Sequence, residues 1–596
     1  MFDNLDAEVA SEMLEWGIGG ISIALVRDQE IRYARGYGLA QRNSVFRVGS
    51  ISKLFNAVAV MQEVEAGRLD LDAPLPPALS PLNPFPDAPP VTLRQLLCHR
   101  SGLPRESRVG GYFDPTNPGL EATVASLPAS TLVTRPGAKT RYSNLGPSVA
   151  GRWVEKSSGL SFPEYQQQRV LGPLAMTNSA WTANGIAEGQ ILDSFMRVAD
   201  GRGGWRHQRA PRFELGTLPA GNLYSTAEDL ARFAMALFRD GAPLIQKNTL
   251  RDMWRPQLTD DDVGFGLGFQ IGVLGSHRTI GHNGAVYGCS SSFLALPGRK
   301  LAAIVLSNED IVTARVRRLA EKGLLLLLQS EFGELPPLTR MPISAAVTIG
   351  TVEAPPGPAS PSPREERVGR GAGSSCGDWP ACPESVEKAR HLSPSLSPAR
   401  SGGEGEATDM IKSNLLNSTA APPNAEPHLS ALAGDYESES YWARLWVEGE
   451  HLRGDLSGQP TRFTPVNRLE FTAADRIDHD LPVVFQEDQA GKVTGFTMGI
   501  QRFNRAPETP PVLPPEWRRV LGSYGPDFIP VVISERHGHL YAMTENMVDY
   551  RLTPTAVNEC SLPPGMYIDE NVVFQFGKGT TPDSINFANM VMNKLE

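Results

Sequence analysis

Cysteine is scarce, with five residues in 596 (Cys98, Cys289, Cys376, Cys382 and Cys560), odd in number and scattered, which argues against a disulfide framework. Long apolar runs are missing too. The densest, Leu324 to Leu328, falls far short of the roughly 20 residues that cross a bilayer and reads as the buried face of a helix. No basic run is long enough to grip a phosphate backbone and the formal charge is −10, so nucleic acid is not an expected partner. Met1 to Glu15 carries five acidic and no basic side chains, the reverse of a secretory leader, and no signal peptide is expected. His277 and His282 stand five residues apart with no H-E-x-x-H or paired-cysteine spacing near them, so no metal and no cofactor are expected. Together these absences favour the cytoplasm, with no membrane partner expected; oligomeric state is not legible.

What remains has a globular composition, 41% hydrophobic and 20% charged, in a chain long enough for several domains. A short helix from Asp3 leads into a hairpin, Ile21–Val26 and Ile31–Gly36, then a helix from Ser50 with Leu54, Ala57, Val58, Met61 and Val64 on one face. Ser225-x-x-Glu228 reads as a capping box for a helix through Phe238. Ser291–Leu296 and Leu301–Ser307 read as paired strands before a helix from Val312 to Leu328. Early and late strands around a helical middle predict an α+β domain, with one antiparallel sheet assembled from both ends of residues 1–345. Residues 346–427 turn to Pro, Ser and Gly with almost no aromatics, a composition that cannot offset its ordering entropy, and are expected to be a disordered linker.

Beyond the linker the sequence repeats. Leu432-x-Gly434-x-Tyr436 returns as Val520-x-Gly522-x-Tyr524 and His451-Leu452 as His539-Leu540, offset by 88; Thr464-Pro465 returns as Thr553-Pro554 and Val483-Val484-Phe485-Gln486 as Val572-Val573-Phe574-Gln575, offset by 89. Short alternating runs between turn residues predict two similar small antiparallel β-barrels, at 428–508 and 509–596.

Three short segments in the first domain carry chemistry. Ser50 and Lys53 at i, i+3 share one face of a helix N-terminus, where an amine can activate a hydroxyl and helix amides can stabilise an oxyanion. Tyr142 lies 92 residues on, with Asn144 two residues later; a phenol can relay a proton and an amide can orient substrate. His282-x-Gly284 comes before a strand, where the imidazole can donate a hydrogen bond or carry charge and glycine lets the strand edge approach substrate.

As a set, Ser50-x-x-Lys53, Tyr142-x-Asn144 and His282-x-Gly284 resemble the three signatures of serine β-lactamases and penicillin-binding proteins, with H-x-G where K-T-G is common. Leu96-Leu97-Cys98-His99-Arg100-Ser101-Gly102-Leu103-Pro104 and Pro219-Ala220-Gly221-Asn222-Leu223-Tyr224-Ser225-Thr226 are similar to segments of class C-like members, Asn222 standing where glycine is usual. The resemblance implies a β-lactamase/transpeptidase-like fold over roughly Gly19 to Phe332. It makes Ser50 the nucleophile, gives proton transfer to Lys53 and Tyr142, assigns substrate contacts to Asn144, His282 and Gly284, and forms the oxyanion hole from the amides of Ser50 and Ala285. Which of Lys53 and Tyr142 is the base stays open. Two trailing barrels resemble the D-aminopeptidase arrangement, in which a barrel loop reaches toward the site. The implied function is hydrolysis of small amides, esters or D-amino-acid peptides. The alternatives are a cell-envelope DD-peptidase or class C-like β-lactamase, and a catalytically silent ligand-binding protein. Cys98 is expected to be part of a structural wall, not a nucleophile.

Overall fold

The computed structural model describes residues 2–200, 204–259, 261–334 and 429–595; the linker expected at 346–427 lies outside the described residues. The first domain is built on a seven-stranded antiparallel sheet in the order Glu30–Gly38, Gly20–Arg27, Leu301–Ser307, Cys289–Leu296, His277–Val286, Gln270–Leu274, Gly264–Phe265. Chain start and domain end meet directly, Ile23 lying opposite Val305. Strand Gly20–Arg27 is buried along its length except at Arg27. Its Ile21, Ile23 and Leu25 pack with Leu5, Val9, Val316 and Leu319 of helices Asp3–Trp16 and Thr313–Phe332, while Ala24 and Val26 join the core on the opposite side. A sheet covered by helices on both faces has no polar alternate positions to show.

Two local expectations are corrected. The helix expected at Ser50 starts with a 3₁₀ turn, Gly49–Ile51, before the α-helix Ser52–Glu65, and that helix is buried on every side from Ser52 to Met61 instead of along one stripe. It runs through the middle of the helical layer, so even Asn56 is buried, donating to Pro147 O at 2.8 Å. The cap expected at Ser225 sits one residue later: Thr226 accepts from Asp229 N at 3.1 Å. Ser225 is held in a short strand opposite Phe46, and the Glu228 side chain pairs with Arg42 instead of closing a capping box.

The repeated segments form two small barrels. Eight strands from Gly434–Glu437 to Gln501–Arg505 close on themselves, Tyr436 lying opposite Arg505. Eight more, Gly522–Tyr524 to Met590–Asn593, form a nearly closed barrel whose ends meet through a bridge from Tyr524 to Lys594 and a bond from Gly525 N to Asn593 O at 2.8 Å. The repeat has a physical basis. Tyr436 OH donates to Leu432 O and Tyr524 OH to Val520 O, each at 2.7 Å, and the intervening Gly434 and Gly522 take φ of 141° and 138°, a region that favours glycine. Among the described residues no helix is long and apolar enough to cross a membrane.

Candidate active site

Ser50 stands in the 3₁₀ turn at the entrance of the central helix, and Lys53 lies in the first turn after it. Lys53 Nζ is 3.0 Å from Ser50 Oγ, 2.8 Å from Asn144 Oδ1 and 2.8 Å from Ala220 O. From the other wall, Tyr142 OH donates to Ser50 Oγ at 2.7 Å. Asn144 occupies the N-cap position of helix Leu145–Ser158, yet its side chain caps nothing there; it bridges Lys53 to Glu106 Oε1, 2.5 Å from its Nδ2. The segment around Asn222 completes this wall: Leu223 N donates to Ser52 Oγ at 3.0 Å, and Asn222 Oδ1 takes Arg47 Nη2 at 2.6 Å. An asparagine in place of the usual glycine thus anchors the arginine three residues before Ser50.

Ser50, Lys53, Tyr142 and Asn144 are therefore brought together. The strand His277–Val286 brings the rest. Gly284 lies against the loop that leads into Ser50, since a Cβ there would stand 2.1 Å from Val48 O. Gly49, at φ +52°, allows the same approach from the opposite side, a Cβ there meeting Ala285 N at 2.7 Å. The amides of Ser50 and Ala285 thus belong to two segments in close contact, a pairing that suits an oxyanion. His282 is 7% exposed, its Nδ1 lies 2.5 Å from Asn283 O, and its ring centroid is 5.9 Å from that of Tyr142. Burial, with the nearby Lys53, pushes the imidazole down to about 3. Burial of this kind favours the neutral imidazole, and with it the hydrogen-bonding role over the charge-carrying one.

Burial also sets the proton inventory around Ser50. It holds Lys53 well below the usual amine range, Arg105 acting in the same direction and Glu106 against it, and it raises the Tyr142 phenol. The lysine is thus biased toward a free amine and the tyrosine toward a protonated phenol. Burial pushes the Cys98 thiol up to about 12, which disfavours the thiolate that a nucleophile needs.

Several site residues escaped the sequence reading. His99 stacks on the Tyr142 ring at 4.3 Å, and its Nδ1 accepts from Ser143 N at 3.2 Å. Glu106 is 1% exposed, and its Oε2 has no hydrogen-bond partner. Together with Tyr112, Asn144, Leu215, Thr217 and Ala285 it walls a cavity of about 20 Å³ in front of Ser50, room for one water molecule. The second barrel reaches this wall. Arg105 lies between the rings of Tyr142 and Tyr567, its guanidinium carbon 5.3 and 5.6 Å from their centroids, and Tyr567 OH donates to Glu545 Oε1 at 2.7 Å. The only sequence signal for Glu106 was its place two residues after the Gly102-Leu103-Pro104 segment.

Over residues 5–327 the sequence matches the Beta-lactamase family. Beta-lactamase-like protein 2 of Dictyostelium discoideum is 26% identical over 291 residues, 45% of this chain and 52% of that protein, so the chain spans about half of that relative's length. Penicillin-binding protein 4 of Amycolatopsis lactamdurans is 28% identical over 346 residues, 54% of this chain and 87% of that protein. The octameric penicillin-binding protein homologue from Pyrococcus abyssi matches in structure with a TM-score of 0.51 and 20% identity, over 84% of this chain and 99% of that one. That last likeness is one of fold, and it extends past the first domain.

Proposed function

The chain belongs to the β-lactamase family, a group of serine hydrolases, and from that premise we propose that it cleaves small amides or esters, of the D-aminopeptidase or esterase type, through an acyl-enzyme on Ser50. The observation that carries this reading is the double contact of Ser50 Oγ with Lys53 Nζ at 3.0 Å and Tyr142 OH at 2.7 Å. A neutral amine has two N–H groups and one lone pair. The two N–H groups are accounted for by Asn144 Oδ1 and Ala220 O, which turns the lone pair toward the serine hydroxyl. Lys53 is then the base. It takes the Ser50 proton as Oγ bonds to the carbonyl carbon, the amides of Ser50 and Ala285 receive the oxyanion, and Tyr142 gives its proton to the departing amine or alkoxide and regains one from Lys53. Water, activated by the same amine, attacks the ester carbonyl and restores the serine.

Two features favour a small acyl group bearing an N–H donor. The cavity in front of Ser50 is about 20 Å³, which favours a small acyl group over a bulky one. The unpartnered Oε2 of Glu106 would be satisfied by an ammonium or amide N–H beside the scissile carbonyl. Burial pushes the His282 imidazole down to about 3, so the position before Gly284 offers no lysine-like cation to a β-lactam carboxylate, which weighs against the β-lactamase alternative.

The test is intact-mass analysis after exposure to a fluorophosphonate, a β-lactam and p-nitrophenyl acyl esters, beside Ser50→Ala. Labelling of wild type by one fluorophosphonate equivalent, absent in Ser50→Ala, and turnover of esters or amino-acid amides are the expected results. An unlabelled wild-type protein would overturn the reading.

A further inference from the structure

The two barrels dock on the first domain through the same loop. In each copy it is the connection between the fifth and sixth strands: Asp475 to Asp480 in the first, Leu562 to Glu570 in the second. In the first copy the loop buries Arg476, which donates to Trp16 O at 2.6 Å, Glu309 Oε1 at 2.9 Å, Asp310 O at 3.0 Å and Ile311 O at 3.2 Å. These partners sit at the end of the first helix and the end of the sheet, and none belongs to the wall around Ser50. In the second copy the loop ends on Glu570, which is 3% exposed. Its Oε1 accepts from Arg105 N at 3.0 Å and from the Arg141 guanidinium.

Those two partners flank the site. Arg141 precedes Tyr142, and its own amide donates to His99 O at 2.6 Å. Arg105 precedes Glu106, and its carbonyl accepts from Asn144 N at 2.8 Å. A single carboxylate oxygen therefore ties the wall that carries Glu106 to the segment that carries Tyr142 and Asn144. A second bond from the same barrel, Asn589 Nδ2 to Glu106 O at 3.3 Å, holds that wall from the other side.

We propose that Glu570 of the second barrel is a positioning residue for the Ser50 site, setting the placement of the Tyr142 phenol and Asn144 through Arg141 and Arg105. The inference rests on the Ser50 hydrolase reading and deepens it, because it makes the second barrel a support for the geometry of the site. Docking of that barrel does not depend on Glu570 alone. Arg206 Nη2 donates to Asp527 O at 2.6 Å, Gln208 Nε2 to Phe528 O at 2.9 Å, and Trp442 Nε1 of the first barrel to Asp549 Oδ2 at 2.9 Å. A change at Glu570 can therefore be read without loss of the domain.

The test compares Glu570→Gln, Glu570→Asp and Glu570→Ala in the full chain by the rate of Ser50 labelling with a fluorophosphonate, by kcat and KM for p-nitrophenyl acetate, and by melting temperature. Glutamine keeps an oxygen for both donors, and its labelling rate is expected to stay within about fivefold of wild type. Aspartate is shorter by one methylene and cannot span both donors; a displacement on the order of 1 Å at the reacting groups is worth up to about a hundredfold. Its labelling rate and kcat are expected to fall at least tenfold, with KM within threefold and an unchanged melting temperature, and alanine should fall at least as far. If alanine does not fold, aspartate and glutamine decide the matter. Aspartate at the wild-type rate, or glutamine as slow as aspartate, overturns the inference while leaving the hydrolase reading intact. A wild-type protein that no fluorophosphonate labels sinks the hydrolase reading and this inference with it.

Discussion

Replacing Lys53 by methionine keeps most of the length and volume of the side chain and removes its nitrogen, so it isolates the amine. Lys53 is 2% exposed and touches Ser50 Oγ, Asn144 Oδ1 and Ala220 O. General-base catalysis is worth roughly 10²–10⁴ in rate, or about 3–5 kcal/mol of barrier. The labelling rate of the wild-type protein sets the reference, and Lys53→Met is expected to lose at least a hundredfold in the second-order rate with a fluorophosphonate. Stability moves the other way at low pH. The amine's folded pKa is depressed well below 10.5, chiefly by burial, so between the folded value and 10.5 the unfolded chain binds a proton that the folded chain does not. Wild-type stability should therefore rise with pH across that window. Lys53→Met lacks this slope, although Asn144 and Ala220 lose a donor at roughly 1–3 kcal/mol each. The assay is labelling rate and urea midpoint measured from pH 6 to 10 for both proteins. In wild type the labelling rate should climb as Lys53 deprotonates and level off well before pH 10. A labelling rate in Lys53→Met within threefold of wild type, or a wild-type rate that climbs only above pH 10, would refute the assignment of the base.

Tyr142→Phe removes one hydroxyl and keeps the ring against His99 and Arg105. Its stability should change by no more than about 1.5 kcal/mol while kcat for amides falls roughly a hundredfold or more, and a mutant with equal loss for amides and for esters of good leaving groups would contradict its role as proton donor. Glu106→Gln is nearly isosteric and replaces a carboxyl that burial raises above its usual range, with its unpartnered Oε2, by a neutral amide. Turnover of amino-acid amides with a free amine should drop about tenfold, the worth of one charge-assisted bond, while the N-acetylated compounds change little; equal loss on both series would show that Glu106 reads no amine.

The parts of the site that were legible in the sequence are those whose geometry is local. Ser50 and Lys53 meet because i, i+3 on a helix is a contact whatever the rest of the chain does, and Gly284 was legible as a close approach, here to the backbone of Val48. The sheet was legible in the apolar runs at the two ends of the domain, which pair directly, whereas the strands between Gly264 and Val286 are broken by glycine and polar residues and gave no such run. The central helix was misjudged as one-faced because Ser52, Asn56 and Glu63, polar by composition, are buried through specific partners, which a pattern of apolar spacing does not register. Glu106 has no spacing partner at all: its neighbours Asn144 and Asn589 lie 38 and 483 residues away.

The second barrel's contribution left one trace, and it is in the repeat. The offset between copies is 88 at His451 and His539 and 89 at Thr464 and Thr553, so a single residue was gained between those points. In the first barrel the strands there are His451–Leu456 and Gln459–Pro465, joined by Ser457 and Gly458; in the second they are His539–Met543 and Asp549–Ala556, joined by the longer Thr544 to Val548. That longer turn carries Glu545, the acceptor of Tyr567 beside Arg105. The docking loops differ as strongly, one copy burying the guanidinium of Arg476 and the other the carboxyl of Glu570, because each faces a different surface of the same domain. Duplicated barrels keep in common what closes a barrel, the tyrosine that bonds four residues back and the inward Val-x-Phe. They diverge where they touch something else, so in a repeat of this kind the slipped register and the unmatched loop mark the surface that has acquired a partner, and here that partner is the wall around Ser50.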